Sequence, residues 1–180
     1  MEINAERVIE LVKSVRPLFM DHERASRITV KGAADFVTQV DFLVQERMRS
    51  GLFDMYPQVQ FMGEEKDNRD IDFSGAVWIL DPVDGTTNLI HDFRCSALSL
   101  ALCDRGQMEL GIIYQPYEDE LFLAQRGKGA FLNGNPIHVS SVKDLGQSLI
   151  SIGTSPYNHD LADRNFEDIK RVFLKCSDIR

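Results

Sequence analysis

No apolar run in this 180-residue chain approaches the ~20 residues that a membrane-spanning helix needs, so the sequence predicts no transmembrane segment. A cationic excess is missing as well: 20 Lys and Arg stand against 28 Asp and Glu, and a net charge of -8 opposes general affinity for nucleic acid or an anionic membrane. Cysteine is scarce. Cys95, Cys103 and Cys176 are odd in number and far apart, which fits reduced thiols and offers neither a disulfide framework nor a zinc motif. The first residues lack a basic stretch leading into an apolar one, so no secretory signal is expected and cytoplasmic residence follows. Repeats, low-complexity tracts and Gly/Ser linkers are absent too. What remains is 43% hydrophobic, enough at this length to bury one good core.

Acidic residues are present in a specific arrangement. The stretch from Trp78 to His91 is an apolar strand ending in Asp81 and Asp84, followed at once by Gly85, Thr86 and Thr87. A strand end holds Asp81 rigidly, Pro82 fixes a turn, Asp84 returns to the same side, and Gly85 admits a ligand close to the backbone. Thr86 and Thr87 then open a short helical turn whose free N–H groups suit a phosphate. Hard cations take a few carboxylates and share their other positions between water and substrate phosphate. Read alone, Asp-Gly after a strand is also an ordinary turn signal.

Two further clusters lie upstream. Gly63-Glu64-Glu65 follows the apolar run Val59 to Met62, and adjacent carboxylates there repel unless solvated or bridged by a cation. Thr38 and Asp41, after Asp35, read as a helix N-cap with an acidic third residue ahead of Val44, Met48 and Leu52. Two other motifs fail on inspection: Asp67 to Asp72 lacks the glycine and final glutamate of a calcium loop, and Gly127-Lys-Gly129 lacks the remaining residues of a P-loop.

In this order the blocks Lys31…Asp35-x-Val-Thr38-x-x-Asp41, Gly63-Glu-Glu and Trp78-Ile-x-Asp-Pro-x-Asp-Gly-Thr-Thr-Asn88 resemble the inositol monophosphatase family of Mg2+-dependent, lithium-sensitive sugar phosphatases. Similarity continues through Gly111 to Pro116, Glu120 to Ala124, Gly127 to Ala130 and Asn133-Gly134, covering about residues 5 to 155. The resemblance implies that Glu64, Asp81 and the Val83 carbonyl bind one Mg2+, and Asp81 with Asp84 a second. It also implies catalytic roles for Glu64, Thr86 and Asp41: Glu64 and the Thr86 hydroxyl position the attacking water, and Asp41 orients Thr86. Val83, Asp84, Gly85 and Thr86 would form the substrate-binding segment, with the N–H groups of Gly85 and Thr86 receiving phosphate oxygens. Glu65 would give outer support, and Asp35 would belong to the local loop. The implied substrate is inositol monophosphate or another small phosphorylated polyol or sugar. Alternatives are a sugar-bisphosphate or nucleotide phosphatase, or a catalytically impaired, shortened module.

The chain departs from the family after His91, where Asp92-Phe93-Arg94-Cys95 replaces the usual proline-containing turn, and at its end. The family's later G-S-A-A-L and W-D-x-A-x-G segments, the second supplying another metal-binding aspartate, have no counterpart before Arg180.

Periodicity predicts an amphipathic helix from about Asn4, kinked or ended near Pro17, and a second from Gln39 to Leu52. Strands are predicted at Val59–Met62, Val77–Asp81, Ser96–Cys103, Met108–Tyr114, Leu121–Gln125 and, after a hairpin at Asn133-Gly134, Ile137–Val139. The predicted class is α+β: an antiparallel sheet flanked by two helices, of sugar-phosphatase type, with the beginning of a second α/β domain. Residues 1–140 form the expected metal- and phosphate-binding domain. Residues 141–180, with a strand at Ser148–Gly153 and a helix at Asp160–Leu174, form an incomplete second domain whose uncovered apolar face favours a homo-oligomer.

Overall fold

The computed structural model describes residues 3–32, 35–64, 66–154 and 158–180, with the backbone alone for Lys31, Gly32 and Asp35. The chain packs as two compact units: Met1–Thr29 with Phe36–Ile137, and Val30–Asp35 with His138–Arg180. Among the described residues no helix is long and apolar enough to cross a membrane.

In the first unit, α1 (Ala5–Lys13) starts where Asn4 Oδ1 accepts from Arg7 N at 3.1 Å. It ends before Pro17, which falls instead in the first turn of α2 (Arg16–Phe19), where no N–H is required. After α3 (His22–Ala25), the strands β1 (Ile28–Gly32) and β2 (Asp35–Thr38) pair with one another, a feature without a strong alternating pattern in the sequence. The long helix α4 (Gln39–Met55) follows directly, capped by Thr38 and Asp41 in a reciprocal capping box. Its buried residues Val40, Val44, Met48 and Leu52 recur at helical spacing.

The sheet has seven strands in the order β3 (Gln60–Gly63), β4 (Ala76–Asp84), β5 (Ala97–Asp104), β6 (Gln107–Gln115), β7 (Glu120–Gln125), β8 (Gly129–Leu132), β9 (Asn135–Ile137). Five of its pairings are antiparallel; β3 and β4 are parallel. The parallel pair corrects the expectation that short turns join every neighbour, because the connection over residues 64–75 is long enough to cross back to the starting edge. At the last hairpin Asn133 and Gly134 both adopt positive φ, 49° and 81°, as a tight mirror-image turn demands. Trp78 and Leu80 of β4, Leu98, Leu100 and Leu102 of β5, and Ile112 and Tyr114 of β6 pack with Val8, Val12, Val44 and Met48 of the helices in one core.

The second unit holds the pair β10 (Leu149–Ile150) and β11 (Asp178–Ile179), which is parallel, and helix α6 (Ala162–Phe173). The helix is two residues shorter at its start than its apolar stripe suggests, since His159–Leu161 forms a 3-10 turn. α6 buries no residue, and Leu149, Phe166 and Leu174 stand largely exposed.

Candidate active site

The parallel register of β3 and β4 sets Gly63 opposite Leu80, and Glu64 N donates to Leu80 O at 3.2 Å. Glu64 and Asp81 therefore emerge side by side at the carboxyl ends of neighbouring strands. A Cβ on residue 63 would stand 2.3 Å from Oε1 of Gln45, on α4, and 3.0 Å from the Phe61 ring, so a side chain there has to displace the end of Gln45. Asn68 completes the turn, donating from Nδ2 to Gly63 O at 2.7 Å and accepting from Gly63 N at 3.3 Å.

Beyond Asp81 the chain does not turn, as the sequence suggested, but continues as a strand to Asp84 through a bulge. Asp81 pairs with Ser99 and Asp84 with Ala97, so one extra residue lies on β4. Strict alternation would send the carboxylates of residues 81 and 84 to opposite faces, and the inserted residue cancels that. Pro82 is accommodated there because a bulge leaves an unpaired position in the ladder. Val83 N donates to Asp81 Oδ1 at 3.1 Å.

The Asp81 carboxyl is pushed up to about 7, first by its burial, then by the negative charges of Glu64 and Asp84 and by a hydrogen bond shared with Glu64. The Val83 N–H opposes the rise. Burial and like charges both act against the ionised form of this carboxyl. Among the described residues no three His, Cys, Asp or Glu side chains form a ready-made metal cage. The oxygens brought together here are those of Glu64 and Asp81, with Asp84 exposed beside them.

Gly85, at φ 84°, turns the chain into α5 (Thr86–Ile90). A Cβ at position 85 would lie 3.0 Å from Cys95 O and 3.2 Å from Asn88 Nδ2. Asn88 donates to that same Cys95 carbonyl at 2.7 Å, and its own carbonyl accepts from Phe93 N at 2.8 Å, tying residues 91–95 back against the Gly85 turn. Sequence reasoning assigned Asn88 no such part. Its signal was its place at the end of Asp-Gly-Thr-Thr-Asn, where a short amide reaches a neighbouring loop.

Thr86 joins this loop to α4. Its Oγ1 lies 3.1 Å from Asp41 Oδ1 and 3.0 Å from Val83 O. Asp41 is 2% exposed, and its Oδ2 accepts from Thr38 N at 2.8 Å and from Thr38 Oγ1 at 2.6 Å. Thr38 Oγ1 in turn accepts from Val40 N at 3.1 Å. The same aspartate thus caps the helix and holds Thr86, so the capping and site readings of Thr38 and Asp41 are compatible. Glu65 lies outside the described residues, as do the side chains of Lys31 and Asp35.

The whole chain, residues 1–180, matches the sequence profile of the inositol monophosphatase family. It is 37% identical over 166 residues to an inositol monophosphatase of Dictyostelium discoideum, covering 90% of this chain and 60% of that protein. Among solved structures it resembles the extragenic suppressor protein suhB of Bartonella henselae, with a TM-score of 0.89 and 29% identity over 98% of this chain and 69% of that one. The IMPase of Thermotoga maritima matches with a TM-score of 0.83 and 30% identity, covering 96% of this chain and 65% of its own. The chain spans 60% of the length of the Dictyostelium relative. A profile match across all 180 residues, the sheet that both solved structures share, and the acidic strand ends described above lead to one assignment: the chain belongs to the inositol monophosphatase family.

Proposed function

We propose that this chain carries the phosphate-handling part of a Mg2+-dependent phosphomonoesterase that hydrolyses inositol monophosphate or a similar phosphorylated polyol or sugar. The observation that carries this reading is the Glu64 and Asp81 pair with Asp84, linked through Val83, which donates to Asp81 and accepts from Thr86, to a hydroxyl that buried Asp41 also holds. The donor set fits a hard cation in kind: the carboxylates of Glu64 and Asp81, close enough to share a hydrogen bond, with Asp84 near them and the Val83 carbonyl on the same strand. Glu64, Asp81 and Val83 O would hold one Mg2+, and Asp81 with Asp84 another; lithium inhibition is expected with them. When bound, Mg2+ supplies positive charge that favours water deprotonation near neutral pH and offsets charge on the leaving oxygen.

The chain's own residues account for orientation. Thr86 has one hydroxyl proton and two acceptors, Asp41 Oδ1 and Val83 O, so its oxygen presents only lone pairs to solvent. A water donating to Thr86 and to Glu64 has its own lone pair left for phosphorus. Asp41 cannot swing away, because Thr38 holds its other oxygen twice. The N–H groups of Gly85 and Thr86 receive phosphate oxygens, with Val83 and Asp84 completing the substrate-binding segment.

Residues 1–140 carry this machinery, while 141–180 begin a second α/β domain. The protein acts in the cytoplasm as a homo-oligomer. Phosphate release from inositol 1-phosphate is to be measured with and without Mg2+ on protein of confirmed mass. Release should depend on Mg2+ and vanish in Asp81→Asn with the circular dichroism spectrum preserved. Turnover that survives either the Asp81→Asn change or removal of the metal would defeat the proposal.

A further inference from the structure

β3 is an outer strand of the seven-stranded sheet, so among the described residues one of its edges has no strand beside it. In a parallel pair alternate residues bond the neighbour, and Glu64 N turns toward β4 to donate to Leu80 O. The backbone groups of Phe61 and Gly63 therefore face the open edge. Such edges are commonly covered in folded proteins, and here the segment after β3 covers this one with side chains. Lys66 Nζ donates to Phe61 O at 2.7 Å. Asn68 does for Gly63 what a neighbouring strand would do: its Nδ2 donates to Gly63 O at 2.7 Å, and its Oδ1 accepts from Gly63 N at 3.3 Å. Gln60 makes a like pair further along, donating from Nε2 to Asp72 O at 2.7 Å and accepting from Asp72 N at 2.9 Å.

The two amide clasps share their chemistry and differ in what adjoins them. Gln60 begins β3, while Gly63 ends it and directly precedes Glu64. Glycine has no side chain to anchor it and the freest backbone of any residue, so Gly63 by itself leaves open the direction in which the chain enters Glu64. The clasp removes that freedom. Leu80 O holds Glu64 N on one side of the chain, and Asn68 holds Gly63 N and O on the other. Gly63 presents one donor and one acceptor, and an amide answers both, whereas a carboxylate answers the donor alone.

We propose that Asn68 is a positioning residue for the metal site, its amide clasp on Gly63 holding the Glu64 carboxylate beside Asp81. This role rests on the reading of Glu64 and Asp81 as metal ligands. Asn68 touches neither carboxylate in that role and acts through the backbone between them.

Binding of Mn2+ alone to the full chain, read from loss of the free ion's electron paramagnetic resonance signal, tests the role without turnover, because Mn2+ suits the same oxygen donors as Mg2+. Asn68→Leu keeps the bulk of the side chain and removes both hydrogen bonds. It should weaken Mn2+ binding by about tenfold or more, as loss of a group that orients a metal ligand does. Asn68→Gln keeps both hydrogen-bonding groups one methylene further out and should fall between Asn68→Leu and the parent. Gln60→Ala opens the other clasp on the same strand; it should lower the urea midpoint yet leave Mn2+ affinity within about twofold of the parent, because it leaves Gly63 held. Circular dichroism checks that each variant is folded. If Asn68→Leu is not, Asn68→Gln stands in its place and must bind Mn2+ more weakly than Gln60→Ala does. Parent-like affinity in the Asn68 variants, or an equal loss in Gln60→Ala, overturns the proposal and leaves the metal assignment standing. A parent chain without saturable Mn2+ binding removes the metal assignment, and the role of Asn68 with it.

Discussion

Thr86 is the residue at which a backbone role and a side-chain role separate most cleanly. Its hydroxyl is held by Asp41 and Val83, while its N–H belongs to the start of α5. Thr86→Ala removes the oxygen that orients water and leaves the N–H, so turnover should fall by roughly 10- to 1,000-fold, in the range found when a positioned catalytic group is lost. Inhibition by inorganic phosphate should change little, and Thr86→Ser should recover most of the rate. Parallel loss of rate and phosphate affinity in Thr86→Ala would contradict the separation. Tyr114 makes a different residue-scale statement. Burial, together with the hydrogen bond it donates to Asp119 at 2.8 Å, pushes its phenol up to about 12 from 10.0. The folded state holds this proton more tightly than the unfolded state does, so the contribution is complete below pH 10 and is lost as the pH rises toward 12. Urea midpoints measured between pH 9 and 12 should fall less steeply in Tyr114→Phe than in the parent chain. Identical slopes would show that the phenol titrates alike in both states.

At the scale of elements, the close approach of α4 to the end of β3 depends on a missing side chain. Gln45 Oε1 occupies the space that a Cβ on Gly63 would fill. Gly63→Ala should therefore destabilise the fold by about 1–2 kcal/mol, as small overpacking changes do. Gln45→Ala should remove part of that penalty, and the two changes should be non-additive in a double-mutant cycle read by urea unfolding. Additive effects would mean that Gly63 is constrained by something other than Gln45. The elements also differ in how legible they were. Thr38-x-x-Asp41 announced the start of α4 because capping is a local code, and the bulk of β5, β6 and β7 followed from alternation and short turns. The parallel register of β3 and β4 was not legible, because it depends on where a long connection returns rather than on the residues of either strand. The bulge at Pro82 and Val83 escaped for a similar reason: it is defined by two residues facing one on a partner strand. Sequence alone read Pro82 as a turn, although Asp81 and Asp84 still end near one another. The pairing of β10 with β11 joins residues far apart in the chain and carried no local signal either.

For the whole molecule, the two units differ in how well they bury their own apolar surface. The first places Val8, Met48, Trp78, Leu100 and Tyr114 in one core. In the second, α6 fully buries no residue of its apolar stripe: Ile169 and Val172 are half-buried, and Phe166 and Phe173 are 60% and 50% exposed. A motif-based reading could anticipate this difference, since one short strand and one helix cannot cover each other's faces. Exposed rings repeated along one helix favour association with a second copy of the same surface, because each copy then removes apolar area from water at about 25 cal/mol per Å². Static light scattering on the chain should therefore give a mass above that of a monomer, increasing with concentration. Phe166→Glu with Phe173→Glu puts two charges on that stripe without touching the first unit's core, so the mass should fall toward the monomer while the thermal transition of the first unit stays in place. A monomeric mass in the parent chain across the same concentrations would show that the exposed face of α6 does not drive association.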